Sequence, residues 1–527
     1  MTIPRHQDGH ATHPVHEHES LWTATVSMPH FAPLAGDVEA DVCVIGGGIA
    51  GLTTAYLLTQ AGKSVVLLDD GPLAGGMTGV TTAHLSNALD DRYVEIERVH
   101  GVDGARLAAA SHTAAIDRID AIVKAEHIHC DFERVDGFLF LGPDDSHNGE
   151  ELLDRELAAA HRAGLVGVEK LPRVPVGATG AALGPCLRFP RQAQFHPLKY
   201  CAALAAAIER ASGRIFTHTH ADSIDAGPPA RIKAGSFTVV SHAVVVATNS
   251  PINDLVAVHT KQAPYMSYVI GARVPRGSVA RSLYWDTHDP YHYVRVQPGP
   301  ESAQHDLLIV GGEDHKSGQA DDTQERHARL EAWARARFPI VDGGHAIECR
   351  WAGQVMETID GLAFIGRNPL DKENIYIVTG DSGMGMTHGT IAGILLMDLL
   401  LGRENPWTTL YDPSRKSLRA GGTYMKEAAN MAAQYVDWVT GGDVASTEEI
   451  RNNSGAIVRR GLVKLAVYRD EHGTLHERSA VCPHLGCIVG WNASEKTWDC
   501  PCHGSRFDKL GRVINGPSNR DLTTPGA

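Results

Sequence analysis

The chain has no run of about 18 apolar residues, the length a membrane-crossing helix needs, and its longest candidate, Ile391–Leu401, contains Asp398. It also has no excess of positive charge. The formal net charge is −14, which argues against nucleic acid or an anionic membrane surface as a partner. Met1–Ser20 holds no apolar core and no twin arginine, so no secretory leader is expected and a cytoplasmic location is predicted. No internal repeat is visible, which sets repeat architectures aside. Of nine cysteines, Cys43, Cys130, Cys186, Cys201 and Cys349 stand singly, so there is no disulfide framework. What remains is an ordinary globular composition, 43% hydrophobic and 21% charged. Its length suggests about three domains. Residues 1–37, polar and carrying His6, His10, His13, His16 and His18, read as a flexible tail.

The other four cysteines cluster near the end. Cys482-Pro483-His484-Leu485-Gly486-Cys487 is followed by Cys500-Pro501-Cys502-His503-Gly504-Ser505. Two of the cysteines each have a histidine close by, in Cys482-x-His484 and Cys500-x2-His503. An iron–sulfur centre with two thiolates on one iron and two imidazoles on the other needs such a set. Thiolates share charge with the ferric iron, while neutral imidazoles raise the potential. A tetrahedral Cys2His2 zinc site is also permitted, though zinc gives Cys487 and Cys502 no part. The two boxes resemble those of Rieske [2Fe–2S] proteins of the cytochrome bc/b6f type. The resemblance implies Cys482, His484, Cys500 and His503 as metal ligands, with Cys487 and Cys502 as a disulfide tying the ligand loops together. Ser505 matches a position whose hydroxyl donates to a cluster sulfur, and Phe507 stands where that branch has a donating tyrosine. The missing hydrogen bond is expected to lower the potential within the Rieske span of about −150 to +300 mV. Gly516-Pro517 falls where the family places a loop covering the cluster.

Nearer the start, Ala40–Ile45 is a short apolar run of strand type, followed by Gly46-Gly47-Gly48-Ile49-Ala50-Gly51 and a helical pattern from Leu52. A second apolar run, Ser64–Leu68, ends at Asp69. This is a βαβ unit with G-x-G-x-x-G at its first turn. Gly46 permits the turn, Gly48 lets backbone approach a pyrophosphate, and Gly51 lets helix pack on strand. The helix N-terminus offers unpaired amides to the phosphates. Asp69 is placed for ribose hydroxyls, with Asp70 as a substitute. No second G-x-G-x-x-G follows a strand, which argues against a separate NAD(P)H domain.

Three further stretches choose between dinucleotides: the loop Gly75–Ala83, the strand Ser241–Asn249, and Asn374-Ile375-Tyr376-Ile377-Val378-Thr379-Gly380-Asp381-Ser382-Gly383-Met384-Gly385-Met386-Thr387, running into the helix Gly389–Leu401. Together they resemble the D-amino-acid oxidase/sarcosine oxidase superfamily of FAD enzymes over roughly Asp41 to Asp412. Phe195-His196-Pro197, Trp351-Ala352-Gly353 and Asp360–Gly366 match further segments of it. The resemblance implies an α/β fold: a Rossmann-like FAD-binding domain interleaved with an antiparallel-sheet substrate domain, here over 38–415. The substrate layer would take roughly 88–190 and 255–350. A linker helix within 416–441 and an all-β Rieske domain at 442–527 follow. Implied FAD contacts are Gly46, Gly48, Gly51, Asp69, Thr78, Thr81, Thr82, Ala247, Thr248, Gly380, Gly383, Gly385 and Met386.

The cofactors expected are FAD and one [2Fe–2S] cluster. The expected reaction is oxidation of C–H beside nitrogen in an amine or amino acid, with electrons leaving singly through the cluster to a one-electron acceptor, a protein or a quinone. Thr387 stands where the sarcosine-oxidase branch has a lysine that grips the substrate carboxylate. Arg350 and Arg367 are the nearest cations in sequence to replace it. His388 is a candidate base or substrate donor, or else a polar residue capping the helix, and His84 a candidate flavin contact or covalent attachment point. Gly311-Gly312-Glu313-Asp314-His315-Lys316 either faces substrate or forms a solvated turn. An electron carrier or redox sensor without an organic substrate, or flow from cluster to flavin, uses the same parts. An oxygenase is disfavoured, because no D-x2-H-x4-H iron signature is present.

Overall fold

The computed structural model describes residues 16–142, 149–177, 183–253, 258–300, 302–342, 347–416 and 418–525. Its strands form two large sheets and, in a small C-terminal β domain, two short ones. The first sheet carries the glycine loop. Its central strands run Ile375–Thr379, Phe237–Val246, Val38–Ile45, Val65–Leu68 and Arg214–Phe216, paired in parallel in that order. Val42–Ile45 and Val65–Leu68 are buried throughout, as unbroken apolar runs must be in a parallel sheet covered on both faces. The helices Ile49–Gln60, Pro197–Arg210 and Gly385–Leu400 pack together beside this sheet. Phe364–Arg367 closes one edge antiparallel.

The second sheet is ten-stranded and mainly antiparallel, built around Gln262–Pro275, His305–Lys316 and Ile347–Thr358. It continues through Tyr293–Gln297, Leu283–Asp286, Glu133–Phe140 and Cys186–Gln194 to His84–Leu85. The chain therefore crosses between the two sheets repeatedly, as the interleaved reading expects, and the second sheet extends past both ends of the ranges inferred from sequence.

The expectation of a flexible tail over 1–37 fails for its described part. His16–Glu17 pairs in parallel with Ile347–Thr358. Ser20 caps the helix Leu21–Thr25 through its side chain, and Trp22 is fully buried with its indole N–H on the Thr81 carbonyl at 2.5 Å. Three large apolar side chains, Trp22, Phe31 and Leu34, are buried; their burial outweighs the polar character of the flanking residues. The earlier histidines lie outside the described residues.

After Asp412 the helix Gly421–Gln434 crosses toward the last domain with no buried residue of its own. Lys316 pairs with its Glu427, Gln319 with its Asn430, and Met431 packs on the core beyond. That core belongs to a three-stranded sheet, Ser454–Arg460, Val463–Arg469 and Leu475–Ser479, and a four-stranded one, Gly490–Asn492, Thr497–Asp499, Arg506–Asp508 and Val513–Asn515. Among the described residues no helix is long and apolar enough to cross a membrane.

Candidate active site and metal centre

A cavity of about 540 Å³ opens between the two large sheets. At one end are the loop after Val38–Ile45 and the helix Ile49–Gln60 that begins there. Gly46 sits at φ +104°, and a Cβ on it would meet the Ala247 carbonyl at 2.4 Å, so the backbone needs glycine. Gly47 N–H donates to Asp69 Oδ2 at 2.6 Å, and Gly71 N–H to Asp69 Oδ1 at 2.9 Å. Burial raises the Asp69 carboxyl to about 6 despite these two donors. Thr78 Oγ1 accepts from Ile49 N–H at 3.0 Å.

Of the residues singled out for FAD, Gly46, Gly48, Asp69, Thr78, Thr81, Thr82, Ala247, Thr248, Gly380, Gly383, Gly385 and Met386 line this cavity. Gly51 lies behind it and packs on the loop. Asp70 also lines the cavity and faces His220 at 3.6 Å. The donor set fits a dinucleotide: a glycine-lined helix N-terminus for the pyrophosphate, and a carboxylate beyond it for ribose. Asp69→Ala removes an acceptor that organises the loop and, with it, the ribose contact expected from the sequence. Hydrogen bonds to a charged group contribute about 1.5–3 kcal/mol, so FAD retention after dialysis should fall about tenfold or more. Unchanged flavin content, with loss in Asp70→Ala instead, would move the role to Asp70.

The substrate-side expectations are partly redrawn. Thr387 does not line the cavity; its hydroxyl is buried against His112 Nδ1 at 2.8 Å and the Met384 carbonyl at 3.1 Å. Met386 faces the cavity, and one residue further along a helix the side chain turns by about 100°. His388 does border it, but Nδ1 donates to the Asp381 carbonyl at 2.8 Å and Nε2 accepts from Ala363 N–H. Burial lowers His388 to about 4. It is a neutral, doubly bonded ring that fixes the turn before the helix, not a poised base. Arg350 pairs with Glu331 and Arg367 is exposed, and neither lines the cavity. Lys261 binds the carbonyls of Pro413 and Arg415. His84 lines the cavity, held by Thr82 Oγ1 and the Val294 carbonyl and driven to about 3 by burial and then by Arg295. Asp314, from the polar cluster, also lines it. Sequence reasoning passed over Asp90, Tyr291, Tyr293, Ser267 and Gln354, all of which do so too. Tyr291 and Tyr293 are two apart, the spacing of one strand face; which face met the cavity had no local signal.

The metal centre is formed by two loops of the last domain. Cys482 and Cys500 are buried and hydrogen-bonded to each other, which lowers the Cys482 thiol to about 7 and raises that of Cys500. The rings of His484 and His503 lie 5.0 Å apart. Both are neutral, pushed down to about 3 and about 4 by burial, as imidazole ligands require. Both ring nitrogens of His484 are buried with no hydrogen-bond partner, so the ring is placed for a ligand the protein does not itself supply. Cys487 and Cys502 form a disulfide joining the loops. Ser505 hydrogen-bonds the Cys482 thiol, and Ser518 N–H donates to Ser505 Oγ at 2.9 Å. Two thiols, two neutral imidazoles and a neighbouring disulfide fit a Rieske cluster. A Cys2His2 zinc site would leave the disulfide without a function.

The imidazole side of this centre faces the flavin domain. His259, buried there, places its ring 5.0 Å from that of His484 and 5.9 Å from that of His503. Gln354, a cavity-lining residue, donates through Nε2 to the carbonyl of Gly504, next to His503, at 2.9 Å. The loop around Gly516-Pro517 reaches further: Val513, Asn515, Gly516 and Asn519 border the cavity, and Asn519 donates to the Ala221 carbonyl at 3.0 Å.

The profile of the FAD dependent oxidoreductase family matches residues 41–399, and that of the Rieske [2Fe-2S] domain matches 441–525. The chain is 32% identical to the Rieske 2Fe-2S iron-sulfur protein YhfW of Bacillus subtilis, over 96% of this chain and 97% of that one. It is 29% identical to gamma-glutamylputrescine oxidoreductase of Escherichia coli, over 73% of this chain and 90% of the relative. In fold it is similar to glycine oxidase from Geobacillus kaustophilus, with a TM-score of 0.60 at 16% identity, covering 72% of this chain and 99% of that one. A glycine-lined dinucleotide cavity roofed by an antiparallel sheet and joined to a two-cysteine, two-histidine centre accords with both matches, and the chain belongs to the FAD dependent oxidoreductase family, extended by a Rieske [2Fe–2S] domain.

Proposed function

We propose that this oxidoreductase is a dehydrogenase acting on the C–H bond beside nitrogen in a small amine or amino acid, with electrons passed one at a time through the Rieske cluster to an external acceptor, a protein or a quinone. When bound, FAD accepts a hydride and gives its electrons up singly to a one-electron centre. The observation that carries the reading is the seam between cavity and cluster. Gln354 lines the cavity and donates to the Gly504 carbonyl beside His503, and the His259 ring lies against those of His484 and His503. A centre meant only for outside partners would not turn its imidazole edge into the neighbouring domain.

The chain's own groups have limited parts. His84 is a neutral hydrogen-bonding ring, Tyr291 and Tyr293 present hydroxyls, and Trp285 and Val269 supply apolar wall. They orient a substrate and exclude water. The relative from Escherichia coli is named for an amine, which accords with nitrogen at the reacting carbon.

Anaerobic stopped-flow mixing with amines and amino acids tests the proposal. Flavin bleaching followed by loss of the cluster's visible bands is the expected order. Failure of every compound to bleach the flavin, with an added reductant reducing the cluster first, would replace it with the carrier reading. Gln354→Leu should lengthen the lag between the two phases several-fold while leaving flavin content and the cluster's EPR spectrum unchanged. An unaltered lag would remove Gln354 from the route.

A further inference from the structure

The part of the cavity beyond the glycine loops is walled by acid. Asp90, Asp314 and Asp381 line it, and among the described residues no lysine or arginine does. Tyr291 donates to Asp90 Oδ2 at 2.7 Å. Tyr293 and Ser267 share a hydrogen bond of 2.6 Å, and Ser267 reaches Asp314. One acceptor is left over: Asp314 Oδ1 is buried and has no hydrogen-bond partner. A buried carboxylate oxygen without a donor is costly unless a ligand provides one. Burial, reinforced by the charges of Asp91, Asp314 and Asp381, holds Asp90 at about 7; burial raises Asp314 to about 6 against the Ser267 hydroxyl and the nearby His292 and Arg326, and raises Asp381 to about 6 although Met356 N–H donates to its Oδ1. Glu357 close by is pushed up as well.

The cations packed around this region donate to other protein groups, although Arg295 Nε is buried without a partner. Arg295 Nη1 gives its hydrogens to the carbonyls of Thr82, Ala83 and Phe195, and Nη2 donates to Gln297. Arg326 binds Asp322 and the main-chain carbonyls of Glu313 and Asp314, while Lys316 is paired with Glu427. A substrate carboxylate brought here would meet like charge and, among the described residues, no lysine or arginine on the cavity wall.

Resting on the amine reading above, we infer that this wall selects a cationic alkylamine without a carboxylate on the reacting carbon, its ammonium held by Asp314 and Asp90, and disfavours α-amino acids. Recognition is thus the inverse of a carboxylate clamp. The charge that orients the substrate is the substrate's own, and the protein supplies the anions.

The test is calorimetric titration of anaerobically reduced holoenzyme, in which no turnover follows binding, with putrescine, butylamine, glycine and sarcosine. The two amines should bind about a hundredfold more tightly than the two amino acids, since like charge at a closed site discriminates on that scale. Asp314→Asn should weaken putrescine about tenfold and leave sarcosine unchanged or tighter, a shift in selectivity that mere loosening of the fold would not produce. Asp90→Asn gives a second reading should the first variant lose its cofactors. Sarcosine binding as tightly as butylamine, or amine affinity unmoved in both variants, would overturn the inference. Amines that bind but never bleach oxidised flavin would leave it standing and sink the dehydrogenase reading. Sarcosine that bleaches the flavin while amines fail to bind would do the reverse.

Discussion

Replacing His484 with alanine should abolish the Rieske EPR signal and leave the flavin in place. Both nitrogens of that ring are buried without a protein partner, so the side chain contributes little to the apo fold that an alanine would lose. Its loss takes one of four ligands from a site that the disulfide Cys487–Cys502 still holds closed. Ligand removal from a closed site costs most of the metal affinity, so iron content should fall close to zero. The glycine cavity is lined mainly by other segments, so the FAD:protein ratio should hold. An unaltered signal in His484→Ala would end the ligand assignment. Survival of the iron with a changed spectrum would leave a different donor set to be found.

Gly51→Ala should cost most of the bound FAD and a large part of the stability. A Cβ at that position would lie 1.9 Å from the carbonyl oxygen of Gly46 and 3.3 Å from Val44 Cγ1. The clash is with backbone, which has no rotamer to yield. Gly46 is itself fixed, its N–H on the Leu68 carbonyl at 2.8 Å. The helix Ile49–Gln60 must therefore move off the strand Val38–Ile45. Overpacking of this kind costs about 1–3 kcal/mol, and the displaced helix no longer aims its first amides at the pyrophosphate. Thermal unfolding and the flavin:protein ratio read the two effects separately. Wild-type values for both would mean that the loop, not the helix, gives way.

The sequence by itself determined the cofactor chemistry. The glycine loop with Asp69, and the two ligand boxes, are contiguous stretches in which each residue answers a local demand: a positive φ, a close approach of helix to strand, a donor within reach of one metal centre. Such demands involve few neighbours and survive in one dimension. The unbroken apolar runs around the glycine loop also indicated a parallel sheet, whereas the antiparallel sheet beside it came only from the family resemblance.

Tertiary structure alone decided the rest. Trp22, Phe31 and Leu34 anchor a segment whose composition reads as solvated, because burial depends on a partner surface supplied by residues far along the chain. Thr387 and His388 belong to the glycine motif, yet helical rotation and two main-chain hydrogen bonds assign them to structure. Asp90, Tyr291, Asp314 and Asp381 meet at one wall only once the sheet has closed over the cavity, and none of them is near the others in sequence apart from Tyr291 and Asp314, which lie on neighbouring segments. His259 touches the ligand histidines because two domains share a seam. Charge summed over a cavity, and contact across a domain boundary, are properties of distances that the chain acquires only on folding.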